Sequence, residues 1–545
     1  MAEEAGLIVV GASIDAVSGP SVGSGADALA VSAGRIAAIG PAAEIRPLAR
    51  PATRVVELAG ETLIPGFIDA HVHPIDGGLT RAECDLYDIS GADQYVTAIA
   101  QYAAAHPNRP WITGGGWSLP DFPGGTPRRE LLDEVVPDRP AILYNRDGHG
   151  VWVNTAALTL AGIDRDTTDP VDGRIERDAN GEASGTLHEG AIDLVASHAP
   201  PTGHEDRVAG LLEGQRHLHT LGITGWQDAI VRPDDLAAYR DAHSSGRLTA
   251  HVRLALLWDN KRGLEQIDEL VASRESAASG GLDAGSVKLF VDGIIENGTA
   301  LTVEPYQAAD GSTTDNRGIP MIEPDLLRRA VSELDRREFQ CHFHAIGDGA
   351  VRLALDSIEA ALVANGASEH RHHIAHLELI HPDDIGRFAK VGAVANIQPF
   401  WAMHEAQMRD LRIPVLGLDR ARWQFPFRSL LDGGARLAAG SDWPVTTPNP
   451  MLEMEVAVTR TDVFDRGHEP LFPQERLTLD EALAAFTIGS AYVNHREAEC
   501  GSIEVGKRAD FAILDRNIRS PDVGPLGETQ VIATFVDGQP VWENT

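Results

Sequence analysis

Two histidines two residues apart, His71 and His73, are the residues of this chain whose type and spacing first indicate chemistry. They end the apolar run L-I-P-G-F-I-D-A-H-V-H-P (63–74), which predicts a buried strand. Alternate residues of a strand point to the same face, so the two imidazoles would lie side by side at its end. Neutral imidazole is the commonest protein ligand for metals, so the pair predicts half of a metal site. Taken alone, H-x-H is equally compatible with two partly exposed loop histidines.

Four further residues that could serve a metal site end predicted strands much later in the chain. They are Lys288 in S-V-K-L-F-V-D, His344 in C-H-F-H-A, His376 in H-H-I-A-H-L and Asp442 in R-L-A-A-G-S-D. Each has an ordinary explanation alone, such as a core histidine, a turn aspartate or a lysine that reaches the surface. The chain has only four lysines, so one on an apolar strand is unusual. Together, four imidazoles, one carboxylate and one lysine suit one or two divalent ions with positions open for water.

The segments that carry these residues alternate between strand and helix patterns. With the strand that ends at His73, eight strands are predicted, and most are separated by helical spacing of apolar residues. Eight parallel strands with intervening helices predict an α/β fold, a (β/α)8 TIM-like barrel, whose strands bring their carboxyl ends to one rim. A doubly wound sheet is the alternative, but it would keep strands one and eight apart. The other seven segments are 222–229, 249–257, 286–292, 341–345, 372–377, 393–398 and 436–442.

Both ends of the chain carry short alternating strands with glycine between them. We therefore predict that residues 1–64 and 491–545 pair into one small β-sandwich and that residues 65–490 form the barrel. The segment between the first two barrel strands, about 75–220, is far too long for a βα loop. It is predicted to be an inserted subdomain on the catalytic face.

Composition excludes several classes of function. The formal net charge of −34 argues against nucleic acid and anionic membrane partners and favours a solubility role for the charge. No run approaches 18 apolar residues, and the acidic start M-A-E-E is unlike a signal peptide, which together predict a cytoplasmic protein. Three cysteines without C-x-x-C spacing predict neither a disulfide framework nor a thiolate metal site. The expected partner is a small-molecule substrate, and a homodimer remains open.

These motifs resemble those of the amidohydrolase superfamily, in particular the branch that contains N-substituted formamide deformylase and related metal-dependent hydrolases. The resemblance covers nearly the whole chain. The similar segments are P-G-F-I-D-A-H-V-H-P (65–74), L-D-E-V-V-P-D-R-P (132–140), D-G-H-G-V-W-V-N-T-A-A-L (147–158), V-K-L-F-V-D-G (287–293), H-A-I-G-D (344–348), the H-L-E segment at 376, F-R-S-L-L-D-G-G (427–434) and G-S-D-W-P-V (440–445).

The resemblance implies a ligand set for two metals, and six ligands, more than one tetrahedral ion can use, predict two divalent ions, with zinc favoured. His71 and His73 would bind the more buried metal, and His344 and His376 would bind the second. Lys288 would be carboxylated by carbon dioxide and would bridge the two. An ammonium cannot bind a metal, whereas a carbamate is an anionic ligand. The alternative is an uncarboxylated Lys288 beside a single metal.

The chemistry of these residue types agrees with hydrolysis. A metal-bridging water ionises near neutral pH and supplies a hydroxide nucleophile, and the same metals polarise a carbonyl. A departing amide nitrogen needs a proton. Asp442, the only carboxylate at the predicted rim, would take the proton of the water and donate it to the nitrogen, and the resemblance adds that it contacts the first metal. The leading prediction is hydrolysis of a C–N bond in a small amide, N-formyl compound or carbamate.

Two other functions stay open. One is deamination of a heterocyclic amine, against which Lys288 counts because deaminases usually need one metal and no bridging lysine. The other is a non-catalytic or regulatory barrel, against which the complete ligand set counts.

Residues in segments expected above the rim are candidates for substrate binding: Trp117, His149, Trp152 and Gln398. The tryptophans fit the core of the insertion equally well. Glu296, in D-G-I-I-E-N-G-T-A, departs from the small or polar residues expected there and would face either substrate or solvent.

Overall fold

The described strands of this α/β protein form four sheets. The structure, a computed structural model, describes residues 5–17, 26–87, 89–308, 310–520, 522 and 524–544. In chain order, β1 to β6 are Leu7–Val10, Ser13–Ile14, Ala28–Ser32, Arg35–Gly40, Arg54–Glu57 and Thr62–Pro65. Next, β7 to β13 are Phe67–Val72, Cys84–Asp85, Ile112–Trp117, Ala141–Asn145, Gly150–Val153, Gly173–Arg177 and Ala183–Glu189. Then β14 to β20 are Ile223–Val231, His251–Leu257, Asp283–Phe290, Gln340–Ala345, His373–His376, Val394–Ile397 and Arg436–Ala439. Last, β21 to β23 are Phe511–Leu514, Val531–Val536 and Gln539–Glu543.

Helices lie between most barrel strands and also within the insertion. In chain order, α1 to α10 are Ala42–Ile45, Pro74–Thr80, Ala92–Ala105, Arg129–Val135, Thr155–Ala161, Asp193–Ala196, His204–Thr220, Pro233–Ser244, Ile267–Ser279 and Pro324–Arg336. After these, α11 to α19 are Asp348–Asn365, Pro382–Ile385, Arg387–Val391, Ile413–Leu416, Leu418–Ala421, Phe427–Asp432, Pro450–Thr459, Leu479–Ala484 and Ser490–Val493.

Eight parallel strands form the barrel, which confirms the predicted fold class. The order is β20-β19-β18-β17-β16-β15-β14-β7, so neighbours in the sheet follow one another in the chain. The two ends of this sheet meet through backbone hydrogen bonds. The Asp442 N–H donates to the His71 carbonyl at 2.7 Å, and the His73 N–H donates to the Trp443 carbonyl at 2.9 Å. Strands one and eight are therefore adjacent, and the doubly wound alternative is excluded.

Strands β7, β17 and β18 are buried along their length and the other barrel strands over most of it, as expected for parallel strands covered on both faces. The helix between β17 and β18 has the predicted apolar face and ends at Gly366, whose φ of 88° a glycine adopts without strain. Further along, Thr478 and Glu481 form the predicted capping box at the start of α18.

The two ends of the chain build the sandwich together. One sheet has the order β4-β3-β1-β5, and the other has the order β2-β6-β21-β22-β23. Strand β6 pairs antiparallel with β21, so that Ile64 lies opposite Ala512. Apolar side chains from both ends, including Leu7, Leu63 and Phe535, share one core. Residues 1–4, on which the predicted absence of a signal peptide rests, lie outside the described residues.

The insertion after the first barrel strand has its own sheet, β12-β13-β11-β10-β9-β8. Its core also includes Ile294, Ile346 and Leu379, which lie in loops that follow barrel strands. The insertion therefore packs on the carboxyl-terminal end of the barrel, where the predicted site lies. Among the described residues, no helix is both long enough and apolar enough to cross a membrane.

Candidate metal centre

Asp442 lies at the centre of the residues predicted to bind metal. Its Oδ1 is 2.9 Å from Nε2 of His73 and 3.1 Å from Nε2 of His71. Its Oδ2 is 4.0 Å from Nδ1 of His376. The ligand atoms of His71, His73 and Asp442 all lie within 4.8 Å of one another, which is a spacing that groups sharing one ion show.

His344 and Lys288 lie beside this group. The ring centroids of His344 and His376 are 4.4 Å apart, and Nζ of Lys288 is 3.3 Å from Nε2 of His71. The structure therefore brings together all six residues predicted to bind metal. Five lie at the carboxyl ends of four barrel strands, and Asp442 lies in the turn after β20.

Asp69 holds the first and last barrel strands in register. Its Oδ1 accepts the N–H groups of His71 at 3.0 Å and Ser441 at 3.1 Å, and its Oδ2 accepts the Ser441 hydroxyl at 2.6 Å. A Cβ at Gly440 would lie 2.4 Å from the His71 nitrogen, so only glycine permits this approach. These contacts set the distance between His71 and Asp442.

Two of the six residues have a left-handed backbone. The φ angle is 79° at His376 and 58° at Asp442. This conformation costs a non-glycine residue about 1–3 kcal/mol, and it clusters at functional sites. The His376 N–H donates to Oε1 of Gln398 at 2.7 Å, and the Asp442 N–H donates to the His71 carbonyl, so both turns are held by hydrogen bonds.

Burial keeps three imidazoles of the site neutral, those of His71, His344 and His376, so that each of these retains a lone pair. It lowers the pKa of His71 to about 3 and holds the pKa values of His344 and His376 well below their usual range. Burial alone would raise the pKa of Asp442, but its contacts with His71 and His73 outweigh this and hold that pKa well below its usual range. The carboxylate is therefore ionised.

Lys288 is 1% exposed, and its ammonium position lies 4.9 Å from the centroid of the Phe290 ring. Burial lowers the pKa of Lys288 to about 7. At neutral pH this side chain is therefore partly a neutral amine.

The donor set fits a divalent ion. Within the described part of the chain, Nδ1 of His73 and Nδ1 of His376 are buried without a hydrogen-bond partner. Buried polar atoms are normally partnered, so these orphaned nitrogens indicate a ligand. Imidazole nitrogen with carboxylate oxygen is the donor combination that zinc and similar ions take.

The structure corrects the expectation that Trp117 lines a substrate pocket. Its indole is fully buried, packs edge-on against Phe122 and Trp152, and donates its N–H to the Leu143 carbonyl at 2.8 Å. Trp152 is equally buried. An indole whose faces and N–H are both used has no surface for a substrate, so both tryptophans belong to the core of the insertion.

His149 is the substrate candidate that the structure places against the site. Its ring centroid lies 5.1 Å from that of His344. Its Nδ1 is 2.8 Å from Oε2 of Glu189, whose Oε1 accepts the Thr299 hydroxyl at 2.7 Å. Burial would lower the pKa of His149, but Glu189 outweighs burial and raises that pKa to about 9. The ring is therefore an oriented imidazolium.

Gln398 and the Oε1 atom of Glu296 have structural partners, whereas Oε2 of Glu296 is buried without one among the described residues. Gln398 is fully buried, accepts from the His376 backbone and donates to Asn396. The Glu296 carboxylate forms a buried ion pair with Arg412. Glu296 therefore does not face solvent, and Gln398 supports the strand end that carries His376.

Comparison with known proteins agrees with this geometry. A model of the amidohydrolase family matches residues 54–542. The chain belongs to the amidohydrolase family. It is a hydrolase acting on carbon–nitrogen bonds, and the superfamily uses divalent metals.

Individual relatives cover almost the whole protein. N-substituted formamide deformylase of Arthrobacter pascens is 30% identical over 99% of this chain and 98% of its own. Protein LONG AFTER FAR-RED 3 of Arabidopsis thaliana is 32% identical over 95% of this chain and 88% of its own. The crystal structure of an uncharacterised metal-dependent hydrolase from Pyrococcus furiosus is 26% identical with a TM-score of 0.69, and the match covers 94% of this chain and 99% of the other.

Two residues of the site were not predicted from the sequence. Asp69 stands two residues before His71 and on the same face of the strand, so its spacing was the available signal. Glu189 ends β13 with a φ of 52° and had no local signal, because its partner His149 lies 40 residues away.

Proposed function

We propose that this amidohydrolase cleaves the C–N bond of a small amide, N-formyl compound or carbamate with the help of two divalent ions. The convergence of Asp442 with five other candidate metal ligands carries the proposal. The full-length similarity to N-substituted formamide deformylase supports an N-formyl or related amide as the substrate class. The expected partner is a small molecule.

In this proposal the two ions are zinc. His71, His73 and Asp442 would hold one ion, and His344 and His376 would hold the other. Neutral imidazoles and an ionised carboxylate match what such ions require. Six protein donors are more than one tetrahedral ion uses, which favours two.

In the proposal, the neutral amine of Lys288 would add to carbon dioxide and release a proton, and the resulting carbamate would serve as an anionic ligand for the ions. An ammonium group 3.3 Å from the ligand nitrogen of His71 would repel a divalent cation. Carboxylation replaces this positive charge with a negative one. The reaction needs a neutral amine, and burial lowers the pKa of Lys288 to about 7, which supplies one.

The bound ions would supply an ionised water at neutral pH and polarise the substrate carbonyl. Asp442 is the proton carrier, because it is ionised, buried and directed into the metal centre. It accepts a proton when the nucleophile attacks and donates it to the departing nitrogen, without which an amine cannot leave. His149 donates from Nε2 to the oxygen of the substrate, since its Nδ1 is held by Glu189.

Metal analysis combined with a substrate panel tests the proposal. The protein, grown and purified with zinc and bicarbonate, is expected to hold two zinc ions per chain and to hydrolyse some N-substituted formamides, N-acyl amines or carbamates. One ion or fewer after supplementation would overturn the two-metal centre. Turnover of amino-heterocycles with all amides untouched would replace the hydrolase with a deaminase. A fully loaded protein inert toward both sets would favour a regulatory barrel.

A further inference from the structure

The floor of the metal centre contains an imidazole that the proposed reaction does not use. His342 is fully buried on β17, two residues before His344 and on the same face of the strand. Its Nε2 is 2.8 Å from Nδ1 of His71, and the two ring centroids are 4.6 Å apart and nearly perpendicular. The contact joins residues 271 positions apart in the chain.

Among the residues that the structure describes, this contact is the one hydrogen bond of the His342 ring. Among the described residues, Nδ1 of His342 is buried without a partner. The ring packs at 4.0 Å against His373, whose Nδ1 lies 3.1 Å from Nδ2 of Asn396. Asn396 also donates to the carbonyl of Ala70, the residue before His71. His342 is therefore held by its neighbours while its polar contact is directed at His71.

The tautomer of His71 depends on this contact. Nε2 of His71 faces Asp442 at 3.1 Å and Lys288 at 3.3 Å, so Nε2 is the nitrogen available to a metal. A neutral imidazole that offers Nε2 as a lone pair carries its proton on Nδ1. That proton needs an acceptor in a fully buried place, and Nε2 of His342 is the acceptor within reach.

We infer that His342 is a positioning residue that holds His71 in the tautomer and orientation in which Nε2 binds a divalent ion. The inference rests on the proposed binding of metal by His71. Partners behind a metal-binding imidazole fix its tautomer and ring orientation, and their loss typically costs about 10–100-fold in metal affinity. The structure offers an imidazole where a carboxylate or a carbonyl commonly serves.

Zinc affinity of the full-length holoenzyme tests this role without a substrate. The protein is dialysed against chelator-buffered zinc at graded free concentrations, and the zinc retained per chain gives the affinity. His342→Gln can place an oxygen near the position of Nε2, whereas His342→Leu and His342→Asn leave no acceptor within reach of His71. We expect the Leu and Asn variants to bind one zinc about 10–100-fold more weakly, and the Gln variant to recover a large part of that loss.

His219 provides the matched control. It is a buried histidine with two hydrogen bonds, to the carbonyl of Ile223 and the hydroxyl of Thr249, and it lies outside the metal centre. His219→Asn is expected to lower the melting temperature without changing zinc affinity. If the Leu variant fails to fold, the comparison of Asn with Gln decides.

The outcomes separate the inference from the proposed function. Wild-type protein that retains no zinc would overturn the metal centre itself. Wild-type protein that binds zinc, with Leu and Asn variants within twofold of it, would overturn the role of His342 alone. Equally weakened zinc binding in the Gln and Asn variants would also overturn it, because the acceptor that Gln supplies would then make no difference.

Discussion

Within the described part of the chain, the barrel carries two clusters of the same composition at opposite ends of its strands, each with two histidines and one aspartate. One, at the carboxyl ends, is His71, His73 and Asp442, and the other, near the amino ends, is Asp335, His370 and His372. Both sets place their ligand atoms within 4.8 Å of one another. Composition and spacing therefore do not distinguish them, and the hydrogen bonds do.

The cluster near the amino ends is internally satisfied. Nδ1 of His372 accepts the Cys341 N–H at 2.9 Å, so its proton lies on Nε2 and is donated to Asp335 at 3.0 Å. Asp335 also accepts from His370 at 2.7 Å and from Asn365 at 2.7 Å. Nε2 of His372 is thus a hydrogen-bond donor and has no lone pair for a metal. This cluster is a structural hydrogen-bond network.

The cluster at the carboxyl ends differs in three ways. Its carboxylate faces imidazole nitrogens on three sides, its backbone is left-handed at Asp442, and buried nitrogens there lack partners within the described part of the chain. Between these two clusters, the tautomer and the unpartnered atoms, more than the residue types, therefore distinguish the candidate metal site. Variants of corresponding residues in the two clusters test this conclusion.

The largest contrast is expected between His71→Ala and His372→Ala. The first removes an imidazole from the metal centre, so zinc and amide hydrolysis should be lost together. The second removes a hydrogen-bonding ring at the other end, so zinc content should stay at the wild-type value while the protein melts earlier. Elemental analysis beside thermal unfolding measures both. Loss of zinc from the His372 variant would show that the two clusters are not distinguished by their hydrogen bonds.

Next in size is the contrast between Asp442→Asn and Asp335→Asn. Asparagine keeps the volume and an oxygen but cannot carry a proton. Turnover of the Asp442 variant should therefore fall by about 10²–10⁴, with a further loss if a metal contact weakens. The Asp335 variant should keep near-wild-type turnover. Metal content is measured on the same samples. Near-normal hydrolysis by a fully loaded Asp442 variant would exclude this residue as the proton carrier.

The regular part of the fold was predictable because its signals are local. Alternation and apolar spacing predicted eight strands, and the strand containing Lys288 differed mainly in starting at Asp283 instead of residue 286. The parallel barrel then brought His71, His344, His376 and Asp442 together, since strand ends share one rim.

The remaining site features depend on contacts that no local pattern encodes. Asp69 meets Ser441 across 372 positions, and the function of Gln398 depends on the left-handed turn at His376. Trp117 could not be assigned to core or pocket until the packing of the insertion was known. The run R-H-H at 371–373 also gave no sign that Cys341 would fix the tautomer of His372.

A smaller effect is expected at the pair formed by His149 and Glu189. This pair is hydrogen-bonded, like the cluster near the amino ends, but it borders the metal centre. In wild-type protein His149 keeps its proton up to about pH 9 because Glu189 raises its pKa. In Glu189→Gln the largest contribution that raises this pKa is lost and only Asp147 and Asp442 still oppose burial, so the pKa of His149 should fall below its wild-type value. At pH 8, kcat/KM should fall about tenfold, and the deficit should shrink toward pH 6.

Glu176→Gln is the matched control for this pair. Glu176 lies 3.3 Å from His188 in the same sheet, and His188 is buried. The kcat/KM of the Glu176→Gln variant should depend on pH as the wild-type value does. A deficit in Glu189→Gln that is the same at every pH would show that Glu189 acts by packing and not through the charge of His149.

The smallest expected effect is a change in how stability depends on pH, and it concerns the structural cluster. Burial would raise the pKa of Asp335, but hydrogen bonds from His372, Asn365 and His370 outweigh burial and hold that pKa below its usual range. A carboxylate whose pKa is lowered by folding stabilises the protein above its unfolded-state pKa, about 3.9, and this contribution disappears as the pH falls below that value. Asparagine removes the titration. The urea midpoint of Asp335→Asn should therefore be lower than that of wild type at pH 7, and the gap should narrow as the pH falls from 4 toward 3.

Asp325, whose side chain is 81% exposed, gives the control variant Asp325→Asn, for which no such convergence is expected. A constant gap between Asp335→Asn and wild type across this range would mean that the carboxylate is not held ionised by its neighbours, and the contrast between the two clusters would then rest on metal binding alone.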